Sequence, residues 1–134
     1  MTIEELIQEK DEWQKLLRLQ DWEITVTLVD FIKASQYASG YTGVNLGSKE
    51  ADIEILSERG YDVNFNGKQD MLKTLVHELV HLHFIFTFNE DRGKGDSMSR
   101  AEYESFEAGV DLTAKALVGL YRESRVKKDV VQEK

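Results

Sequence analysis

The sequence predicts an α+β fold, and three observations carry that prediction. Apolar residues recur at helical spacing near the N-terminus, alternate with polar ones through the next third, and return to helical spacing afterwards. Strands grouped ahead of helices, rather than alternating with them, mark α+β. The 134 residues show no internal repeat or low-complexity tract, which suits one domain, 1–134, burying about two-thirds of its unfolded surface. The expected order is an N-terminal helix, a small three-stranded sheet, a central helix and a C-terminal helix.

Thr2-Ile3-Glu4-Glu5 reads as a capping box: a hydroxyl caps a backbone amide and a glutamate three residues on caps the hydroxyl residue's own amide. Ile3, Leu6, Ile7, Trp13, Leu16 and Leu17 follow helical spacing as far as Leu19. Asp21-Trp22 breaks the pattern. Trp22, Ile24, Val26 and Leu28 then alternate with Glu23, Thr25 and Thr27, as a half-buried strand does. A polar connection covers 32–40. Tyr41 to Leu46 is β-prone, Gly47-Ser48-Lys49 suits a turn, and Ile53 and Ile55 alternate with Asp52 and Glu54, so a hairpin is expected from about 37 to 57.

Gly60, Asn64, Asn66 and Gly67 mark 58–69 as a turn-rich loop. Asp70 is placed to cap a helix from 71 to about 87, with Leu72, Leu75, Val76, Leu79, Leu82 and Phe86 on its apolar face. Charge and glycine make 89–98 a loop. Ser99-Arg100-Ala101-Glu102 is a second capping box, opening a helix to about 122 with Tyr103, Phe106, Val110, Ala114, Leu117 and Tyr121 on one side. The charged tail from about 123 is expected to fray.

Composition narrows the function. A formal charge of −8 repels a phosphate backbone, so nucleic acid is not an expected partner. The chain has no cysteine, which removes disulfides, thiolate zinc sites and thiol catalysis. No apolar run approaches the length of a membrane span, and the acidic, amphipathic first residues are not those of a signal peptide. A cytoplasmic protein is the expectation.

Two of the three histidines stand in His77-Glu78-Leu79-Val80-His81. Histidines four apart on a helix project to one side, and a glutamate directly after the first lies beside them. At about 100° per residue, His81 falls about 40° and Glu78 about 100° from His77, across the wheel from the apolar stripe. Two imidazoles so placed can hold one zinc ion, and the offset Glu78 can hold water beside it rather than bind the metal. His83 falls on the apolar side, where a buried or interface histidine bonded to a carbonyl or carboxylate is the expected role.

A catalytic zinc takes three protein ligands and keeps one position open. With no histidine left, the third is expected to be a carboxylate. Glu102 is occupied by its capping box and Glu104 faces solvent. Glu107 lies at the flank of its helix's packing face and is the preferred ligand, with Asp91 and Asp96 as alternatives. A carboxylate at such a flank is costly unless a cation meets it. Asp111, one turn on, can accept a hydrogen bond from a ligating histidine's far nitrogen.

His77-Glu78-Leu79-Val80-His81 followed by Glu107-Ala108-Gly109-Val110-Asp111 resembles the gluzincin branch of zinc metallopeptidases, in which HExxH precedes a glutamate ligand and, four residues later, an acidic partner. The short layout is similar to minimal gluzincins and to phage-encoded metallopeptidases. The metzincin extension wants glycine at 84 and histidine at 87, where this chain has Phe84 and Thr87. Deformylases need a cysteine and SprT-like proteases a later histidine. An aspzincin-like site would use Asp91 or Asp96.

The resemblance implies a zincin-like fold, a peptide or protein substrate, Zn2+ held by His77, His81 and Glu107, Asp111 behind a histidine, and Glu78 as general base for hydrolysis by an activated water. It also implies a substrate lying along a sheet edge, expected at Ala51 to Leu56. Tyr37, Tyr41, Tyr61 and Arg100 are the candidates for stabilising the oxyanion. Two other readings stand beside this one: a metallopeptidase-like protein that only binds partners, and a zinc hydrolase of a non-peptide amide.

Overall fold

A computed structural model describes residues 1–88 and 99–133. Its elements are α1 (Ile3–Leu16), β1 (Glu23–Val29), β2 (Gly40–Asn45), β3 (Glu50–Leu56), α2 (Glu58–Asn64), α3 (Met71–Phe88) and α4 (Arg100–Glu133). The class is α+β, with four helices and a small mixed sheet among the described residues. The expected loop 89–98, with Asp91 and Asp96, lies outside those residues, as does the side chain of Phe86.

Helix α1 opens as anticipated. The Glu5 amide donates to Thr2 Oγ1 at 3.1 Å and the Thr2 amide to Glu5 Oε1 at 2.9 Å. It ends at Leu16 rather than Leu19, because Arg18 takes a left-handed φ of 60° that a continuing helix excludes. The Gln14 amide donates to the carbonyls of Leu19 at 2.9 Å and Trp22 at 2.7 Å, which ties the turn to the start of β1.

The sheet order is β1-β3-β2. β1 runs parallel to β3, and β2 runs antiparallel to it. This corrects the expected edge: the strand at Ala51 to Leu56 is central, and β2 is an edge. Ala51, Ile53, Ile55 and Leu56 are all buried. A strand with that much buried apolar surface gains most between two neighbours. The β2–β3 hairpin is present but shorter than expected, pairing Gly40 with Ile55 at one end and Asn45 with Glu50 at the other.

Residues 58–64 form helix α2 instead of a loop. Ser57 caps it, accepting from the Gly60 amide at 3.1 Å. Gly60 is there for space, not for a turn: a Cβ would lie 2.2 Å from the Asp30 carbonyl oxygen. The helix packs against the chain leaving β1 at a distance only glycine permits.

Helix α3 is capped by Asp70, whose Oδ1 accepts from the Lys73 amide at 3.1 Å. It is buried nearly all round, because α1 and α4 flank it and the sheet covers it as well. Among the described side chains of the helix His83 is the exception. It is exposed, which corrects the buried one of its two expected roles. Cover on that side of the helix reaches Val76 and Leu79, both fully buried, but not the next turn.

Helix α4 continues past the expected stop near 122. Its second half is held to α1: Tyr121 packs on Trp13 at 4.8 Å between ring centroids, and its hydroxyl donates to Glu12 Oε2 at 2.8 Å. Arg125 reaches the same carboxylate at 2.7 Å. Arg122 grips both oxygens of Asp70 at 2.9 and 3.1 Å. These partners carry the helix where a free charged tail would fray. Val110, Ala114 and Val118 are its buried core residues.

Candidate metal centre

Among the described residues, the buried polar or charged side chains are Thr42, Thr74, Glu78 and His81. Three lie on α3 and the fourth, Thr42, on the strand β2 that packs against it, bonded to Glu78. Burying polar groups is costly unless they are paired, so their gathering in one place marks the site before any motif is invoked.

Helical spacing does what it was expected to do within α3. The Nε2 atoms of His77 and His81 lie 3.2 Å apart. Helix α4 packs across them and supplies Glu107: Oε2 is 3.1 Å from His77 Nε2 and Oε1 is 2.8 Å from His81 Nε2. Asp111, one turn further, places Oδ1 3.3 Å from His77 Nδ1, and Lys73 Nζ lies 3.4 Å from the same oxygen. Phe106 packs edge-on against the His81 ring at 5.8 Å.

His77, Glu78 and His81 form a group that can bind a metal ion, with ligand atoms all within 4.8 Å of one another. Glu107 is nearer to His77 Nε2 than Glu78 is, at 3.1 Å against 4.0 Å. Of the two carboxylates, Glu107 is therefore the better placed to share an ion with the histidines. Glu78 is held from the strand side as well, its Oε1 accepting from the Thr42 hydroxyl at 2.7 Å.

The donor set fits a small divalent cation. With Nδ1–H donating to Asp111, His77 presents a lone pair at Nε2. Two ring nitrogens and a carboxylate facing one another at 2.8 to 3.2 Å need positive charge between them, as protons or as an ion. Donors held about 2.0–2.1 Å from a tetrahedral ion lie about 3.3 Å apart, close to the spacings here.

The electrostatics agree. Burial pushes the Glu107 carboxyl up, but bonds from His77 and His81 outweigh it and hold the group down to about 2. Burial opposes charge on His77, yet the Glu107 bond and the Glu78 charge raise its pKa overall. Glu78 goes the other way: burial raises it, and the histidines and Thr42 offset that only in part. Two carboxylates in one site are thus driven apart, one held ionised and one made a better proton carrier.

Two clefts flank Glu78. One, of about 350 Å³, includes Gly40, Tyr41, His81, Ile85 and Tyr103 in its walls. The other, of about 300 Å³, includes Tyr61, Lys68, Lys73, His77 and Asp111. Tyr37 and Glu107 line both. Of the four proposed oxyanion donors, Tyr37 borders both clefts, Tyr41 the first and Tyr61 the second. Arg100 borders neither of them. Its side chain is 92% exposed and pairs with Glu104 at 3.1 Å, and Glu104 thus faces solvent as expected.

Thr42 and Gly40 were not anticipated. Thr42 had a weak signal, a polar residue at an inward position of a strand. Gly40 was hidden inside what reads as a polar connection. No protein-family model, curated protein or solved structure matches this chain, and so its chemistry rests on the site itself.

Proposed function

We propose that the protein is a zinc-dependent hydrolase of peptide bonds, of the gluzincin type its motifs resemble. One observation carries the reading. Three donors from two helices, His77, His81 and Glu107, converge within 2.8 to 3.2 Å, and a buried fourth group, Glu78, stands beside them and is not needed to complete the set.

His77 and His81 would bind zinc through Nε2 and Glu107 through its carboxylate, three protein ligands of the kind catalytic sites use. Bound there, zinc supplies Lewis acidity, which lowers the pKa of a water and polarises a carbonyl. Asp111 accepts from His77 Nδ1–H and so keeps the Nε2 lone pair turned inward. Glu78 takes a proton from the attacking water and passes it to the leaving nitrogen. Burial raises its pKa, which suits a group that must both accept and release a proton. Tyr37, bordering both clefts, is the favoured oxyanion donor among the four candidates.

A peptide is preferred over another amide because of β2. Among the described residues that strand is paired within the sheet on one side only, and Gly40, Tyr41 and Thr42 border the cleft that holds Glu78 and His81. An extended chain can pair with such an edge by main-chain hydrogen bonds. A purely structural metal site would have no use for the buried Glu78.

The test is turnover of a peptide library by zinc-loaded protein, with and without chelator. Glu78→Gln should bind zinc as tightly as the wild type and lose hydrolysis by at least about a hundredfold. Hydrolysis that persists in that variant, or resists the chelator, overturns the proposal.

A further inference from the structure

Glu78 sits near enough to the histidines to become a ligand itself. Its Oε2 is 4.0 Å from His77 Nε2, and a buried carboxylate beside a divalent cation is drawn to it strongly. Glu78 adding itself to the ligand set would fill the position that hydrolysis needs for water. Strand β2 carries two features that oppose this.

The first is Thr42. Its side chain is buried, and its hydroxyl donates to Glu78 Oε1 at 2.7 Å. That is the short distance of a charge-assisted bond. The other acceptor in reach, the Glu78 carbonyl, is longer at 3.4 Å. The second is Gly40, two residues earlier and so on the same face of the strand. A Cβ there would stand 3.1 Å from both Glu78 Cγ and Oε2, and 2.8 Å from Thr74 Cγ2. Glu78 is therefore tied at one oxygen by Thr42, with the space for the other kept by Gly40.

We propose that Thr42 is a positioning residue that keeps Glu78 from joining the metal ligands, with Gly40 providing the room in which it is held. This rests on the reading of the site as a zinc hydrolase. The Thr42 hydroxyl acts through Glu78, to which it donates at 2.7 Å, and not as a metal ligand.

The experiment uses the full chain with Thr42→Val, which keeps the shape and removes the hydroxyl, and Thr42→Ser, which keeps the hydroxyl. Cobalt(II) replaces zinc as the probe, since its visible spectrum reports coordination number. In Thr42→Val the cobalt bands should weaken as Glu78 adds an oxygen, and cobalt affinity by chelator competition should tighten by about threefold or more. The spectrum of Thr42→Val combined with Glu78→Gln should match that of Glu78→Gln alone. With a peptide substrate, kcat should fall about 10- to 100-fold and KM should stay within about twofold. Thr42→Ser should restore all of these.

A Thr42→Val protein with the wild-type spectrum and affinity overturns the proposal, as does a serine variant as impaired as the valine one. If Thr42→Val does not fold, Gly40→Ala in a Thr74→Ser background substitutes for it. The serine removes the 2.8 Å methyl contact, so the new Cβ presses on Glu78 alone, and an unchanged cobalt spectrum then overturns the idea. Wild-type protein that binds cobalt but cleaves no peptide would defeat the proposed function and leave the spectral test standing. Protein that binds no cation would defeat both.

Discussion

Replacing Glu107 by alanine separates a metal ligand from a carboxylate that only happens to lie near two histidines. The structural zinc sites of small domains bind with roughly 10–16 kcal/mol across four ligands, or about 3 kcal/mol for each. Glu107 stands 3.1 and 2.8 Å from the two Nε2 atoms, so its removal should cost about one such share, near 150-fold in affinity. Thermal melting reads this directly. With zinc at about 100 times the wild-type Kd, binding adds about 2.7 kcal/mol of stability; a 150-fold weaker site adds only about 0.3 kcal/mol. At about 4 °C per kcal/mol for a domain of this size, the zinc-induced rise in Tm should fall from about 11 °C to about 1 °C. Glu104→Ala is the control, being 65% exposed and paired with Arg100, and it should keep the full rise. A Glu107→Ala protein that keeps most of the zinc-induced rise, with Kd within about threefold of wild type, would refute the donor set.

Two further predictions concern the scaffold. Asp70 is held below the usual carboxylate range, first by its bond from Arg122, with the Lys73 amide and nearby charge adding to it against burial. A carboxylate lowered on folding contributes stability above its unfolded pKa near 4 and loses it as pH falls through the lower folded value. Both partners are more than a third exposed, so solvent screens the pair and Arg122→Gln should cost only about 0.2–1 kcal/mol at pH 7. Urea midpoints of that variant and wild type should draw together as pH falls below the unfolded carboxylate pKa near 4; a constant gap would refute the assignment. Gly60→Ala, which forces a Cβ against the Asp30 carbonyl, should cost about 1–3 kcal/mol, since backbone gives way less readily than a side chain. Unchanged urea stability would show that α2 can shift without penalty.

What could be read in advance followed the range of the forces involved. Helix starts at Thr2, Asp70 and Ser99 are local hydrogen-bond chemistry, and the structure has all three. The facing of His77 and His81 follows from the helical repeat, which needs nothing outside α3. Glu107 and Asp111 were legible at one remove: their own helix's periodicity put them on a flank that a neighbour can reach, and α4 lies along α3 so that they meet His77. Gly60 misled because glycine marks turns and close approaches alike, and only the Asp30 carbonyl shows which is present.

The sequence by itself determined α1, α3 and α4 with the residues that cap their starts, the three strands, and the placing of two imidazoles on one side of a helix. All of these depend on contacts a few residues apart, where backbone geometry leaves few alternatives. The tertiary structure decided what depends on distant partners: that β3 is central and β2 an edge, that His83 is exposed, and that Thr42 bonds Glu78 across a separation of 36 residues, with Gly40 leaving the space beside it. Which strand closes over which helix is set by burial summed over the whole core, a quantity no short segment contains.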